Sequence, residues 1–159
     1  MAWAEGRTDG GFDDWRLPAI TDTGASGCDF SSYSGTDCGY NVQTSGSELA
    51  HLYYVTLGNL AEFDTSGNPQ SGSGLTNTGL FQYLQSHYYW FGTEADPACC
   101  AWNFGTIDGK QFVVGKAAAL YALAVRPGDV AAAVPEPQPL ALALLGLGAL
   151  WVARRRRPH

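Results

Sequence analysis

The chain has 159 residues, 45% of them apolar and 13% aromatic, enough for one domain with a true core plus an appendage. Charged residues make up only 15%, below the roughly 25% of ordinary soluble domains, and 20 glycines imply many turns between short elements. The formal charge is −6, but Arg154–Arg157 supply four of the nine basic residues. Without residues 154–159 the chain carries about −10, which excludes the clustered cationic surface that nucleic-acid binding requires.

In chain order, "DDWRLPAI" (Asp13 to Ile20) comes first. Trp15 and Leu17 alternate with Arg16, which predicts a short half-buried strand stopped by Pro18. Residues 21–44 are rich in turn formers, and so long a loop needs a clamp. Cys28 and Cys38 bracket "DFSSYSGTD", which a disulfide would close for roughly 2–3 kcal/mol; two free thiols are the alternative. The one main helix follows. Ser45 and Glu48 form an S-x-x-E capping box, and Leu49, Leu52, Tyr53, Thr56 and Leu57 share one helical face up to a stop at Gly58. His51 falls off that stripe and reads as a surface residue.

Phe63 to Gly79 is a second polar loop. Asp64, Ser66 and Asn68 alternate as oxygen ligands do in calcium loops, but no bidentate Glu follows, so an Asx-turn is expected and no metal. From Tyr88 the pattern turns to strands: "YYWFGTE", a hairpin in "AWNFGTIDGKQFVV" around Asp108-Gly109, and "ALYALAVRP" closed by Pro127. Trp90, Trp102, Phe104, Phe112 and Tyr121 are the expected core; a sugar-stacking platform is the competing reading of the same aromatics. Neither cysteine pair, Cys28 with Cys38 or adjacent Cys99 and Cys100, has zinc-ligand spacing.

The chain closes on "VPEPQPLALALLGLGALWVARRRRPH". Residues 1–129 form the expected domain, 130–139 a proline-rich linker, 140–153 a transmembrane helix and 154–159 a basic cytoplasmic tail. As a helix, Leu140–Ala153 spans about 21 Å against a hydrocarbon core of roughly 30 Å, with Trp151 and snorkelling arginines extending its reach. Arg154, Arg155, Arg156 and Arg157 act as the membrane stop, and the positive-inside rule then places the domain outside the cytoplasm.

Two resemblances follow from these residues. The motif Pro135-Glu136-Pro137, the apolar run and the terminal arginines resemble the PEP-CTERM sorting signal of Gram-negative bacteria, which implies export and handling by an exosortase. "DWRLP", "YYWFGTE", "AWNF" and "YALAVRPGD" resemble the Lcl C-terminal (DUF1566) family, with Phe91-Gly92 in place of its usual small polar pair. That resemblance implies an α+β fold of the C-type-lectin-like or formylglycine-generating-enzyme-like kind, with one main helix and short antiparallel strands. It also implies residues upstream of Trp15, so a truncated N-terminus is expected, since "MAWAEGRTDGGFDDWRLP" holds no signal-peptide run.

Catalysis is not expected. The three histidines (His51, His87, His159) accompany no G-x-S-x-G, H-E-x-x-H or phosphate-loop pattern. The leading reading is an exported non-catalytic binding or structural module without cofactors, sorted to the cell envelope or extracellular matrix, whose partners are exosortase, the membrane and exopolysaccharide or another envelope component. A calcium-dependent lectin-like receptor using Asp64 is the alternative. A thiol enzyme using Cys99 or Cys100, with a base such as His87, is the third.

Overall fold

The aromatic run from Tyr88 and the hairpin that follows it form the centre of the described unit, in a computed structural model that describes residues 3–23, 33, 37–95 and 99–127. The chain clusters into two units, Met1–Pro127 and Gly128–His159, and every described residue belongs to the first. Cys28, the Pro135-Glu136-Pro137 motif, the apolar run 140–153 and Arg154–Arg157 lie outside the described residues.

Strands β1 (Gly39–Tyr40), β2 (Tyr88–Ala95), β3 (Cys100–Gly105) and β4 (Lys110–Gly115) make an antiparallel sheet in the order β1-β4-β3-β2. The expected hairpin joins β3 to β4, with register running from Cys100↔Gly115 to Phe104↔Gln111. Its turn needs Gly109, at φ +74°, where a Cβ would lie 2.8 Å from the Tyr54 hydroxyl and 3.0 Å from the Ala61 backbone. Alternation along β2 sends Tyr89, Phe91 and Ala95 inward to join Trp102 and Phe104 of β3. These pack against Ile20, Val42, Leu49, Ala50 and Tyr53. Phe104 is fully buried and meets Tyr53 edge-on at 5.4 Å, a burial worth roughly 2–3 kcal/mol.

The helical segment departs from expectation. α1 (Glu48–Ala50) is a single turn, continued by a π-helix over His51–Thr56 in which the Leu57 amide reaches back five residues to the Leu52 carbonyl at 2.9 Å. The wider turn leaves Leu49, Tyr53 and Leu57 inward, while Leu52 is half-buried and Thr56 exposed. The cap is Ser47, whose Oγ accepts from the Ala50 amide at 3.2 Å. Ser45 lies in a preceding 3₁₀ turn, and Glu48 is committed elsewhere.

"WRLP" is not a strand but one half of a clasp. Arg16 exchanges two backbone hydrogen bonds with Val125, both at 2.8 Å, and Arg126 reaches back to Asp14 at 3.0 Å. The closing "ALYALAVRP" likewise forms only bridges, Tyr89↔Tyr121 and Arg16↔Val125. Gly92 has a reason in this clasp. Its amide donates to the Pro18 carbonyl at 2.8 Å, where β2 bulges between Trp90 and Glu94, and a Cβ there would press Leu17 at 3.4 Å.

The expected fold class is therefore corrected. In place of a lectin-like or formylglycine-generating-enzyme-like domain with one main helix, the described unit has one short helical segment and four antiparallel strands, while the expected transmembrane helix lies outside the described residues. Among the described residues no helix is long and apolar enough to cross a membrane. The wide turn after Ala50 and the hydroxyl cap at Ser47 shorten what hydrophobic spacing alone reads as a regular helix.

Candidate binding groove

The two most exposed apolar side chains of the unit, Leu80 and Tyr83, stand together. Their loop is set by two asparagines. Asn59, 2% exposed, accepts through Oδ1 from the Thr76 amide (3.1 Å), the Thr76 hydroxyl (3.1 Å) and the Asn77 amide (2.8 Å), and donates through Nδ2 to the Asn77 carbonyl (2.9 Å). Asn77 in turn donates to the Leu57 carbonyl at 2.7 Å and accepts from the Gly79 amide at 3.0 Å. This mesh satisfies buried polar groups that would otherwise each cost about 1–3 kcal/mol, and it launches the chain outward at Gly79. Leu80 is then 100% exposed, Tyr83 83% and Phe81 40%.

The facing wall is Tyr121. Its amide donates to the Tyr88 carbonyl (3.0 Å) and its carbonyl accepts from the Trp90 amide (2.9 Å), which fixes it along the outer edge of β2. Its ring, 47% exposed, lies 5.6 Å from Tyr89 and takes the edge of His87 at 5.1 Å. At the floor, the Tyr89 hydroxyl accepts from the Gln85 amide at 2.8 Å. The resulting groove holds about 450 Å³ and runs past Phe81, Gln82, Tyr83, Tyr89, Tyr121 and Leu123; among the described residues no charged side chain lines it. Phenol rings with polar rims beside an amide suit a ligand with apolar faces and hydroxyl edges.

A second cleft of about 490 Å³ lies between Ala19–Thr21 and the helix start, with His51 exposed on its wall. An adjoining recess of about 230 Å³ reaches Asp37 and Gln111. Its polar groups serve one another. The Ser47 hydroxyl donates to Gln111 Oε1 (2.6 Å), Gln111 Nε2 donates to the Asp37 carbonyl (2.5 Å), and Asp37 Oδ2 accepts from the Thr23 amide (2.6 Å) and hydroxyl (2.7 Å).

The other sequence candidates are placed as follows. Asp64 Oδ1 accepts from the amides of Ser66 (2.8 Å) and Asn68 (2.9 Å), an Asx-turn, and the Asn68 amide chiefly holds its carboxyl below the usual range. Among the described residues no group of three or more His, Cys, Asp or Glu is placed to hold a metal. Cys99 and Cys100 are bonded to each other, so neither presents a thiol to a base. Cys38 is buried with its sulfur 3.3 Å from the Gln111 carbonyl oxygen, and among the described residues no cysteine is free. The expected core is divided: Trp102 and Phe104 are buried, Trp90 and Phe112 are half-buried, and Tyr121 lines the groove.

A half-buried cluster surrounds the hairpin turn. Asp108 accepts from the Tyr88 hydroxyl and the Lys110 amide, each at 3.0 Å, and burial pushes its carboxyl above the ordinary value. Burial, with the nearby Asp108 and Glu62 charges, pushes the Tyr88 phenol up to about 12.

Sequence reasoning missed Leu80, Phe81 and Tyr83 altogether. The available signal was a run of bulky residues, "LFQYL", flanked by polar turns and lacking either periodicity. No family model, no curated protein and no solved structure matches the chain.

Proposed function

We propose that the chain is an exported, non-catalytic module that binds neutral polysaccharide of the cell envelope or extracellular matrix. The observation that carries this reading is the groove between the Phe81–Tyr83 loop and Tyr121, which is aromatic, uncharged and open. A sugar ring offers a C–H face to stack on phenols and hydroxyls for the amide and phenol rims. A charged substrate finds no counter-charge there. Delivery is assigned to the sorting segment, in which an exosortase at the membrane acts on Pro135-Glu136-Pro137, the apolar run and Arg154–Arg157. The resemblance to a sorting signal supports that half of the reading.

Affinity electrophoresis through gels containing neutral glucans, galactans or mannans tests the binding half. The wild-type chain is retarded by at least one of them, and Tyr83→Ala and Tyr121→Ala each reduce the retardation. Equal mobility in every gel removes the reading. For the sorting half, the chain is fused to a signal peptide and produced in hosts with and without an exosortase. Intact mass then shows loss of the segment from about Val134 only where the enzyme is present.

A further inference from the structure

Cys99 and Cys100 are joined to each other where β3 begins. Cys99 is exposed, whereas Cys100 is half-buried against the core. The backbone around them is held on both sides. Cys100 pairs with Ala95 and Gly115, and the Cys99 carbonyl accepts from the Lys116 amide at 3.0 Å. The Lys116 side chain is occupied by Glu94 at 2.6 Å.

Chain-entropy stabilisation by a disulfide grows with the loop it closes, and neighbouring residues enclose no loop at all. The bridge therefore contributes little to holding the fold together, and the clamped strand ends around it keep their hydrogen bonds without it. What it does supply is a disulfide with one sulfur open to attack and the other seated on a rigid strand.

We propose that Cys99–Cys100 is a thiol–disulfide exchange site that takes two electrons from a dithiol partner. The partner's first thiolate attacks Sγ of exposed Cys99, breaking the bond between the two cysteines. Cys100 leaves as a thiolate and takes up a proton. The partner's second thiolate then attacks the partner sulfur of the mixed disulfide, closes the partner's own disulfide and releases Cys99, which takes up the second proton. Two electrons and two protons reach the protein, and the dithiol is oxidised. The reduced pair, side by side on the chain, is a two-sulfur chelate for thiophilic reagents. The site lies at the opposite end of β2 and β3 from Tyr89 and is independent of the polysaccharide reading.

The test treats the full oxidised chain, under native conditions, with a rising series of dithiothreitol, then alkylates with N-ethylmaleimide and maps the modified peptides by mass. Cys99 and Cys100 are expected to be labelled together at a dithiol concentration at least roughly tenfold below that which labels Cys38. One equivalent of phenylarsine oxide then blocks both. The Cys99→Ser/Cys100→Ser double variant loses this labelling and melts within about 2 °C of wild type. Labelling of Cys38 at the same concentration, or labelling of the pair only after denaturation, overturns the proposal without reference to any variant. A large drop in melting temperature of the double variant overturns it too, since it would make the bridge a structural staple.

Discussion

Arg16 grips Glu48 with both guanidinium nitrogens, Nη1 to Oε2 and Nη2 to Oε1, each at 2.7 Å, across 32 positions of sequence. Glu48 Oε2 also accepts the Ala19 amide at 2.6 Å, and Arg16 Nη1 donates to the Leu17 carbonyl at 3.1 Å. The pair joins the first turn of α1 to a segment whose backbone is already laddered to Val125. Three stretches distant in sequence thus meet at one ion pair.

Glu48→Gln should therefore destabilise the unit by about 1–2 kcal/mol at neutral pH, above the usual surface pair because the contact is bidentate and backbone-assisted. Its Arg16 partner chiefly holds the Glu48 carboxyl below its ordinary value. A lowered folded pKa contributes stability that is present above the unfolded value and is lost as pH falls through the folded one. Urea unfolding at pH 7 and at pH 3 should show the gap between wild type and variant narrowing in acid. A gap of constant size would mean the pair does not provide the stability assigned to it.

Gln111 is wholly buried and links β4 to both the cap residue Ser47 and the Asp37 carbonyl. Gln111→Ala strands those two partners and opens a cavity, for an expected loss of about 3–5 kcal/mol. Gln111→Glu should be worse at pH 7 than at pH 4, because a buried carboxylate facing a carbonyl oxygen repels it until protonated. Thermal melts at the two values decide this. A variant equally stable at both would show that the position opens to water.

Asp108 predicts a slope of the opposite sign to Glu48. Its pKa is raised by burial, so its contribution is full below the unfolded value and is lost as pH rises through the folded one. Asp108→Asn keeps an acceptor for the Lys110 amide, and the Tyr88 hydroxyl can reverse to accept from the new amide. The variant should match wild type near pH 4 and overtake it toward pH 7. If wild type remains the more stable at neutral pH, the carboxylate is better solvated than its surroundings imply.

How much of this was readable in advance depends on range. The hairpin at Asp108-Gly109 and the strand from Tyr88 carry local signatures, a turn dipeptide and alternation, and both form where those signatures lie. The helix at Glu48 was misjudged because apolar spacing at i, i+4 and i+8 fits a π-turn as well as an α-turn, and because the cap was assigned to Ser45 where Ser47 provides it. Arg16 and Val125 were recognisable as motifs but not as each other's partners, since nothing local encodes a pairing over that distance. The groove was hidden for the same reason: Tyr121 looks like core until its backbone is seen bridged to the outer edge of β2 with its ring half outward.

The groove and the core share one support, and that separates binding from folding. Tyr83, 83% exposed, is spent on nothing but the surface, so Tyr83→Ala should leave the melting temperature within about 2 °C of wild type. Loss of one stacking ring should weaken polysaccharide binding roughly tenfold. Asn59 never touches the groove, yet its side chain fixes Thr76 and Asn77 and, through Asn77, Gly79. Asn59→Ala should therefore lower both stability, by about 2–4 kcal/mol, and binding measured well below its reduced melting temperature. Because the lining is uncharged, binding by the wild type should change little between 50 mM and 500 mM salt. Isothermal titration against the retarding glycan, at both salt concentrations and for both variants, checks the three expectations about binding, and thermal melts check the two about stability. Strong salt dependence would assign the interaction to the acidic body instead of the groove, and full binding by Asn59→Ala would show that the Leu80–Tyr83 loop needs no anchor.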